Sequence, residues 1–234
     1  MRFPSRLLAA NLYVALWAWA VLATIVTLIV VGVAIFGQVT ESAWEKASLA
    51  PRWYALFVGV GLITTFLPMY VAHGQTRRRF AVHAGITLGL MAPAVAAMIV
   101  LGYLAERGIY HLVGWEQVLD RSHLFTEPTQ LHLVLLEYLL ELLTWMAAGT
   151  LIGAGFYRWG AGGLLTIPVG VGLVVLTQSA IGTELDLPLV DRVLNPDTPQ
   201  PLGLAIGAGL LAFLIGLALA WTVVRDVPLP NKVS

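Results

Sequence analysis

Cysteine is absent from the 234 residues, which excludes disulfide frameworks, thiolate metal sites and thiol nucleophiles together. Charge is scarce as well. Asp, Glu, Lys and Arg make up 11% of the chain, against roughly a quarter in an ordinary soluble domain. The 13 basic and 13 acidic residues cancel, so no bulk field attracts a nucleic acid, and none is expected as a partner. The patterns GxxxxGK[ST], HExxH and GxSxG and the dinucleotide fingerprint are also missing, so ATP hydrolysis is not expected on this chain. What the chain has in abundance is apolar surface, with 59% hydrophobic residues and a mean hydropathy of +0.84. This is membrane composition.

Crossing a hydrocarbon layer of ~30 Å takes about 20 helical residues, and six stretches reach that length: 12–36, 53–72, 81–105, 131–156, 161–182 and 201–224. Backbone groups in lipid must be satisfied internally, and no ten-residue alternation of a barrel is present. The expected fold is therefore all-α, one transmembrane domain over 1–234 with six helices. The first apolar run continues to Phe36, far beyond a cleavable signal core, and reads as a retained span. Arg2 and Arg6, with Phe3, Leu7 and Leu8, fit either a short interfacial helix or a flank that sets orientation.

The basic residues in the connections set the topology. With the N-terminus inside, Arg2, Arg6, Arg77, Arg78, Arg79, Arg158, Arg225 and Lys232 are cytoplasmic, and Lys46, Arg52, Arg107, Arg121 and Arg192 are outside. Both termini then lie inside, in a multi-pass protein of the cytoplasmic (inner) membrane. The outer segments are long and carry ten acids, including Glu45 and Glu106. In residues 106–125, apolar Ile109, Leu112, Val113, Trp115, Val118 and Leu119 alternate with polar residues, which predicts an amphipathic surface helix. LDLPLVDRVL, at 185–194, is a second candidate. Gly85 and Gly89, Gly149 and Gly153, and Gly203 and Gly207 have the spacing of close helix packing, within a subunit or between subunits. Pro68, Pro93 and Pro168 fall inside predicted spans and are expected to kink them.

Glu137 and Glu141 are the conspicuous intramembrane groups, four residues apart and so on one face of the fourth span. Counting from Leu131 at ~1.5 Å per residue, they lie about 9 and 15 Å below the outer boundary. Both should point into the bundle or a wet cavity, as a substrate-lining or proton-accepting pair or as hydrogen-bond partners of a neighbouring helix. His83 and His132 are too far apart in depth to share a metal. Glu116, Asp120 and His123 would share a face of the outer helix, where a solvated stripe is the ordinary explanation. Ser179 and His132 lie at similar depth, as an intramembrane hydrolase would need, but LTQSAIG lacks a glycine-flanked serine. No cofactor or metal site is expected.

One connection stands apart. HGQTRRRF, His73 to Phe80, places three arginines in a minimal loop. Anchoring to anionic lipid, worth about 1 kcal/mol per residue, is the plain explanation. The wider stretch FLPMYVAHGQTRRRFAVHAG resembles the G-x-[ST]-R-[RK]-x-F signature of permease subunits of ABC-2 type ABC transporters, carried by Gly74, Thr76, Arg77, Arg78 and Phe80. GAGFYRWGAGGLL, at 153–165, is similar to the turn between spans four and five in actinobacterial permeases of this kind, carried by Arg158, Trp159 and Gly160. The resemblance implies that His73, Gly74, Gln75, Thr76, Arg77, Arg78, Arg79 and Phe80 form a short coupling helix seated on a separate ATPase subunit. It further implies that LDLPLVDRVL is a re-entrant element, that ATP and Mg bind the partner, and that a second permease chain, identical or related, completes the transporter. An exporter of an amphiphilic or cationic substrate, such as a drug, peptide or lipid, is the resulting expectation. Glu137 and Glu141 are the candidates for its path. The alternatives are a membrane binding or assembly subunit with no ATPase, and an intramembrane hydrolase.

Overall fold

The computed structural model describes residues 5–183 and 201–226. Among them the chain is helical, with no strand, and five helices are long and apolar enough to cross a membrane. α1 spans Ser5–Phe36. A second run, Ala43–Ala72, is built from α2 (Ala43–Ala47), α3 (Leu49–Gly61), a π-turn (Leu62–Phe66) and α4 (Leu67–Ala72). α5 covers Arg77–Val113 and α6 Leu131–Trp159. A 3-10 segment at Gly160–Leu165 leads to α7 (Thr166–Ile181), and α8 is Leu202–Val224. LDLPLVDRVL lies outside the described residues.

The boundaries differ from the sequence reading, each for a local reason. The second run begins at Ala43 rather than Trp53, because Ser42 caps it by accepting from Glu45 N at 3.2 Å. Arg52, expected in an outer loop, is thereby carried into the bundle, where it is buried. α5 continues to Val113 and ends where Gly114 takes the left-handed conformation at φ 79°. The amphipathic helix expected over 106–125 therefore does not form. Its first half extends α5, and residues 115–130 are an irregular segment folded onto the protein. Glu116, Asp120 and His123 consequently share no helical face. At the other end of α5, Thr76 accepts from Arg79 N at 3.2 Å, so Arg77 to Phe80 form the first turn of this 37-residue helix. The connection shortens to His73–Thr76.

The expected fourth and fifth spans form one run, Leu131–Ile181, that folds back on itself. Gly160, at φ 56°, ends α6, and the backbones around it approach too closely for side chains. A Cβ on Gly163 would meet the backbone of Gly155 and Phe156, and one on Gly155 would meet Thr166. α7 returns antiparallel to α6: Gly170 lies against Ile152, and Thr144 and Thr177 share a hydroxyl hydrogen bond at 3.1 Å. Pro168 falls in the first turn of α7, where its missing N–H costs nothing, so it kinks no span. Pro68 directly follows the π-turn, and Pro93 sits inside the unbroken α5.

α6 is the central helix, packed by α3, α5, α7 and α8 and buried around most of its circumference. Its contact with α3 depends on glycine. A Cβ on Gly149 would collide with the Leu56 carbonyl, and one on Gly59 with the backbone of Met146 and Thr150. Gly153 lies against Val60. Among the described residues, nothing lies within 4 Å of a Cβ placed on Gly89, Gly203 or Gly207, and one on Gly85 meets only the tip of Leu217 at 3.9 Å. Of the three glycine pairs, one is used for packing within the subunit. α1 is peripheral. Beyond the packed Leu7 and Ala15, it is held by Trp19 Nε1 donating to the Met98 carbonyl (2.9 Å) and Tyr54 OH donating to the Asn11 carbonyl (3.1 Å).

Candidate functional site

The two ends of the bundle carry different polar chemistry. At one end, which we call the loop end, the segment after Gly114 and the residues before α2 close over four buried charged groups. Glu106 of α5 accepts from Trp44 N (2.8 Å), Ser42 Oγ (2.5 Å) and Gln117 Nε2 (2.7 Å). Glu45 accepts from the Asp120 and Arg121 amides at 2.9 and 2.8 Å. Its Oε1 also lies 3.0 Å from His123 Nε2, while His123 Nδ1 is 2.6 Å from Glu137 Oε1. The second oxygen of Glu137 accepts from Leu124 N at 2.6 Å.

Both ring nitrogens of His123 thus face carboxyl groups, and with both carboxylates ionised the arrangement favours the imidazolium, which donates to each. Burial disfavours the charged ring, but the bonds to Glu137 and Glu45 outweigh it and raise its pKa from 6.5 to about 9. Phe125 stacks on the ring at 4.5 Å.

One turn further along α6, Glu141 accepts from Arg52 Nε at 2.9 Å, both groups being buried. The guanidinium lies 6.0 Å from the Tyr138 ring centre, and Tyr138 OH shares a 2.9 Å hydrogen bond with Tyr103 OH. Glu141 Oε1 has no hydrogen-bond partner within normal geometry among the described residues, and Gln178 of α7 lies beside it. Glu137 and Glu141 do share one face and point inward, as the spacing predicts. Sequence reasoning missed their partners, Arg52 and His123, because both were assigned to outer loops. One available signal was the S-x-x-E capping box of Ser42 and Glu45, which places the helix start early enough to draw Arg52 inside. A second was the rule that an intramembrane acid has a partner, and Arg52 borders the predicted span by one residue.

Beside this pair runs a groove of about 500 Å³ between α3, α6 and α7. Arg52 and Gln178 supply its polar groups; Trp53 and Trp145, edge to face at 5.3 Å, form an aromatic wall. Leu56, Ile152 and Val171 continue it as an apolar surface. Trp145 Nε1 is buried without a hydrogen-bond partner among the described residues.

At the opposite end, which we call the turn end, lie Ser5, the His73–Thr76 turn, the Gly160 turn and the end of α8. The three arginines diverge because successive helical residues are ~100° apart. Arg77 Nη1 donates to the Arg225 carbonyl (2.9 Å) and so caps α8. Arg79 lines a cavity beside α1, and Arg78 is exposed, with no hydrogen bond or ion pair among the described residues. Gly74 takes φ 69° to make the turn, and His73 Nδ1 bonds its own helix at the Met69 carbonyl (2.7 Å). Phe80 is buried against Tyr70 at 5.3 Å. Arg158 of the second motif donates to the Val223 carbonyl at 2.7 Å, a second cap on α8.

His83 is buried next to Tyr70 and His132 is exposed, with no metal cluster among the described residues. Ser179 Oγ is buried without a hydrogen-bond partner among the described residues. No protein-family model matches the chain, and no curated protein or solved structure is significantly similar to it.

Proposed function

We propose that the chain is the membrane-spanning permease subunit of an ATP-driven exporter of the ABC-2 type, crossing the inner membrane six times with the turn end in the cytoplasm. α7, with the 3-10 segment before it, serves as the fifth crossing. ATP and Mg bind a separate ATPase subunit, and a second permease chain, identical or related, completes the pathway.

The observation that carries this reading is the continuity of α5. Its first turn bears Arg77, Arg78 and Arg79 directly after a four-residue connection, and the same helix runs for 37 residues, past Glu106 in the sealed cluster, to Val113. At ~1.5 Å per residue that is a lever of about 55 Å. A push on the arginines is delivered with little slack to the far side of the bundle. Guanidinium also suits this contact, since it offers directional donors to carboxylates. Removing Arg52 from the outer loops widens the excess of basic residues at the turn end, in keeping with a cytoplasmic location.

For the cargo, the groove between α3, α6 and α7 supports the amphiphilic half of the expectation: a polar head at Arg52 and Gln178, and an apolar body along the tryptophans. Glu137 and Glu141 are occupied by His123 and Arg52, so neither offers a free carboxylate to a cation.

A second reading, a binding or assembly subunit with no ATPase, draws on Arg77 and Arg158, which are both explained as helix caps. Arg78 separates the two. Purified from native membranes through a tag, the chain is expected to bring down ATP hydrolysis, and Arg78→Glu should lose it while the chain still inserts. Wild-type chain free of any ATP-hydrolysing companion, or Arg78→Glu retaining it in full, overturns the coupling reading.

A further inference from the structure

Arg79 turns away from Arg77 and Arg78 and faces a cavity of about 690 Å³ between the first turn of α1, α4 and the start of α5. Its polar lining includes Arg6, His73, Gln75 and Arg79, and no carboxylate lines it among the described residues. Arg6 and Arg79 are both exposed, with no ion-pair partner among the described residues. The opposite wall is apolar, formed by Phe66 and Met69.

We infer that this cavity binds the headgroup of an anionic phospholipid. The two guanidinium groups that line it suit a phosphate ester, and the apolar wall receives the glycerol and the upper acyl chains. A free phosphate ion would gain nothing from Phe66 and Met69. The position fits as well: α1 is a peripheral helix long and apolar enough to cross a membrane, and the cavity lies beside its end, where a span would meet the headgroups. A lipid seated there would tie α1 to the His73–Thr76 turn across the cavity that both line.

The test uses the full chain, purified without any ATPase, so its result does not depend on the coupling reading. Native mass spectrometry counts the lipid retained from bilayers that mix phosphatidylglycerol with phosphatidylcholine. Wild-type chain is expected to keep phosphatidylglycerol in preference. Arg6→Gln and Arg79→Gln should each weaken that preference by about fivefold, the effect of one basic residue near an anionic surface. Arg78→Gln removes the same charge from the neighbouring residue, outside the cavity, and should leave the preference intact. Because Arg6 and Arg79 are exposed, thermal midpoints close to wild type will show that the variants are folded. Equal retention of the two lipids by wild type overturns the inference, as does an equal loss in Arg78→Gln and Arg79→Gln, which would reduce the effect to general surface charge. Inorganic phosphate displacing the lipid at concentrations equal to a short-chain phosphatidylglycerol would assign the site to a soluble anion and overturn the lipid assignment.

Discussion

The loop end and the turn end use their charged groups in opposite ways. At the loop end Glu45, Glu106, Glu137, Glu141, Arg52 and His123 are buried, and each has at least one partner inside the protein. At the turn end Arg6, Arg78 and Arg79 are exposed and have none among the described residues. Desolvation explains the contrast. A buried charge must be matched within the subunit or it neutralises, whereas a charge at the water boundary can wait for an external partner. Intramembrane acids invite a functional reading, yet here they are matched within the subunit, and the proposed function looks for its partner at the exposed arginines.

Breaking the buried pair should give the largest effect. Arg52→Leu leaves Glu141 buried without its cation and is expected to cost about 3–5 kcal/mol, read as a fall in the thermal midpoint of the detergent-purified chain. Arg52→Leu combined with Glu141→Leu should recover most of that loss, since an apolar pair of similar volume avoids the desolvation penalty. If the double variant is as unstable as the single one, the pair is more than a matched charge. His123→Ala comes next, at about 3 kcal/mol, because it strands Glu45 and Glu137 together. Gly149→Ala drives a methyl group into the Leu56 carbonyl and forces α3 from α6, at about 1–3 kcal/mol.

Much of the fold is legible in the sequence, and the limits have a clear physical form. Apolar length finds the helices, and four-residue spacing puts Glu137 and Glu141 on one inward face, because both are local properties of a helix. The pairing of Arg52 with Glu141 joins residues 89 apart, and no local pattern encodes it. Residues 115–130 misled the periodicity argument for a related reason. Val118 and Leu119 are spaced like a helix face, but Val118 offers its carbonyl to Ser42 N at 2.8 Å, and Leu119 packs against the core from an irregular backbone. Gly114, in the left-handed conformation, was the visible sign that the helix ends there. At the turn end, the arginine triplet is plain in the sequence. Its division into a cap, a free group and a cavity wall follows once Thr76 fixes where the helix begins.

The pH dependence of the loop end sharpens the comparison further. The folded-state pKa of His123, about 9, lies above its ordinary value of 6.5, so the stability from its cation is fully present below about pH 6.5 and is lost as pH rises through 9. Unfolding measured between pH 7 and 10 should therefore show a progressive loss in wild type that is absent in His123→Ala. A wild-type profile flat across that range would mean that the two carboxylates hold the ring in some other state.

The smallest effect is expected at the turn end. Arg78→Gln removes an exposed charge with no bonded partner among the described residues, so stability should change by less than about 0.5 kcal/mol. Arg77→Gln, one residue earlier, takes away a cap on α8 and should cost more, about 1 kcal/mol. The order of these two neighbours is the informative result. Near-silence at Arg78 in stability, together with loss of the ATP-hydrolysing companion, would place its role outside the folded subunit. A larger stability loss at Arg78 than at Arg77 would instead make the triplet part of the architecture, and the contrast between the two ends would disappear.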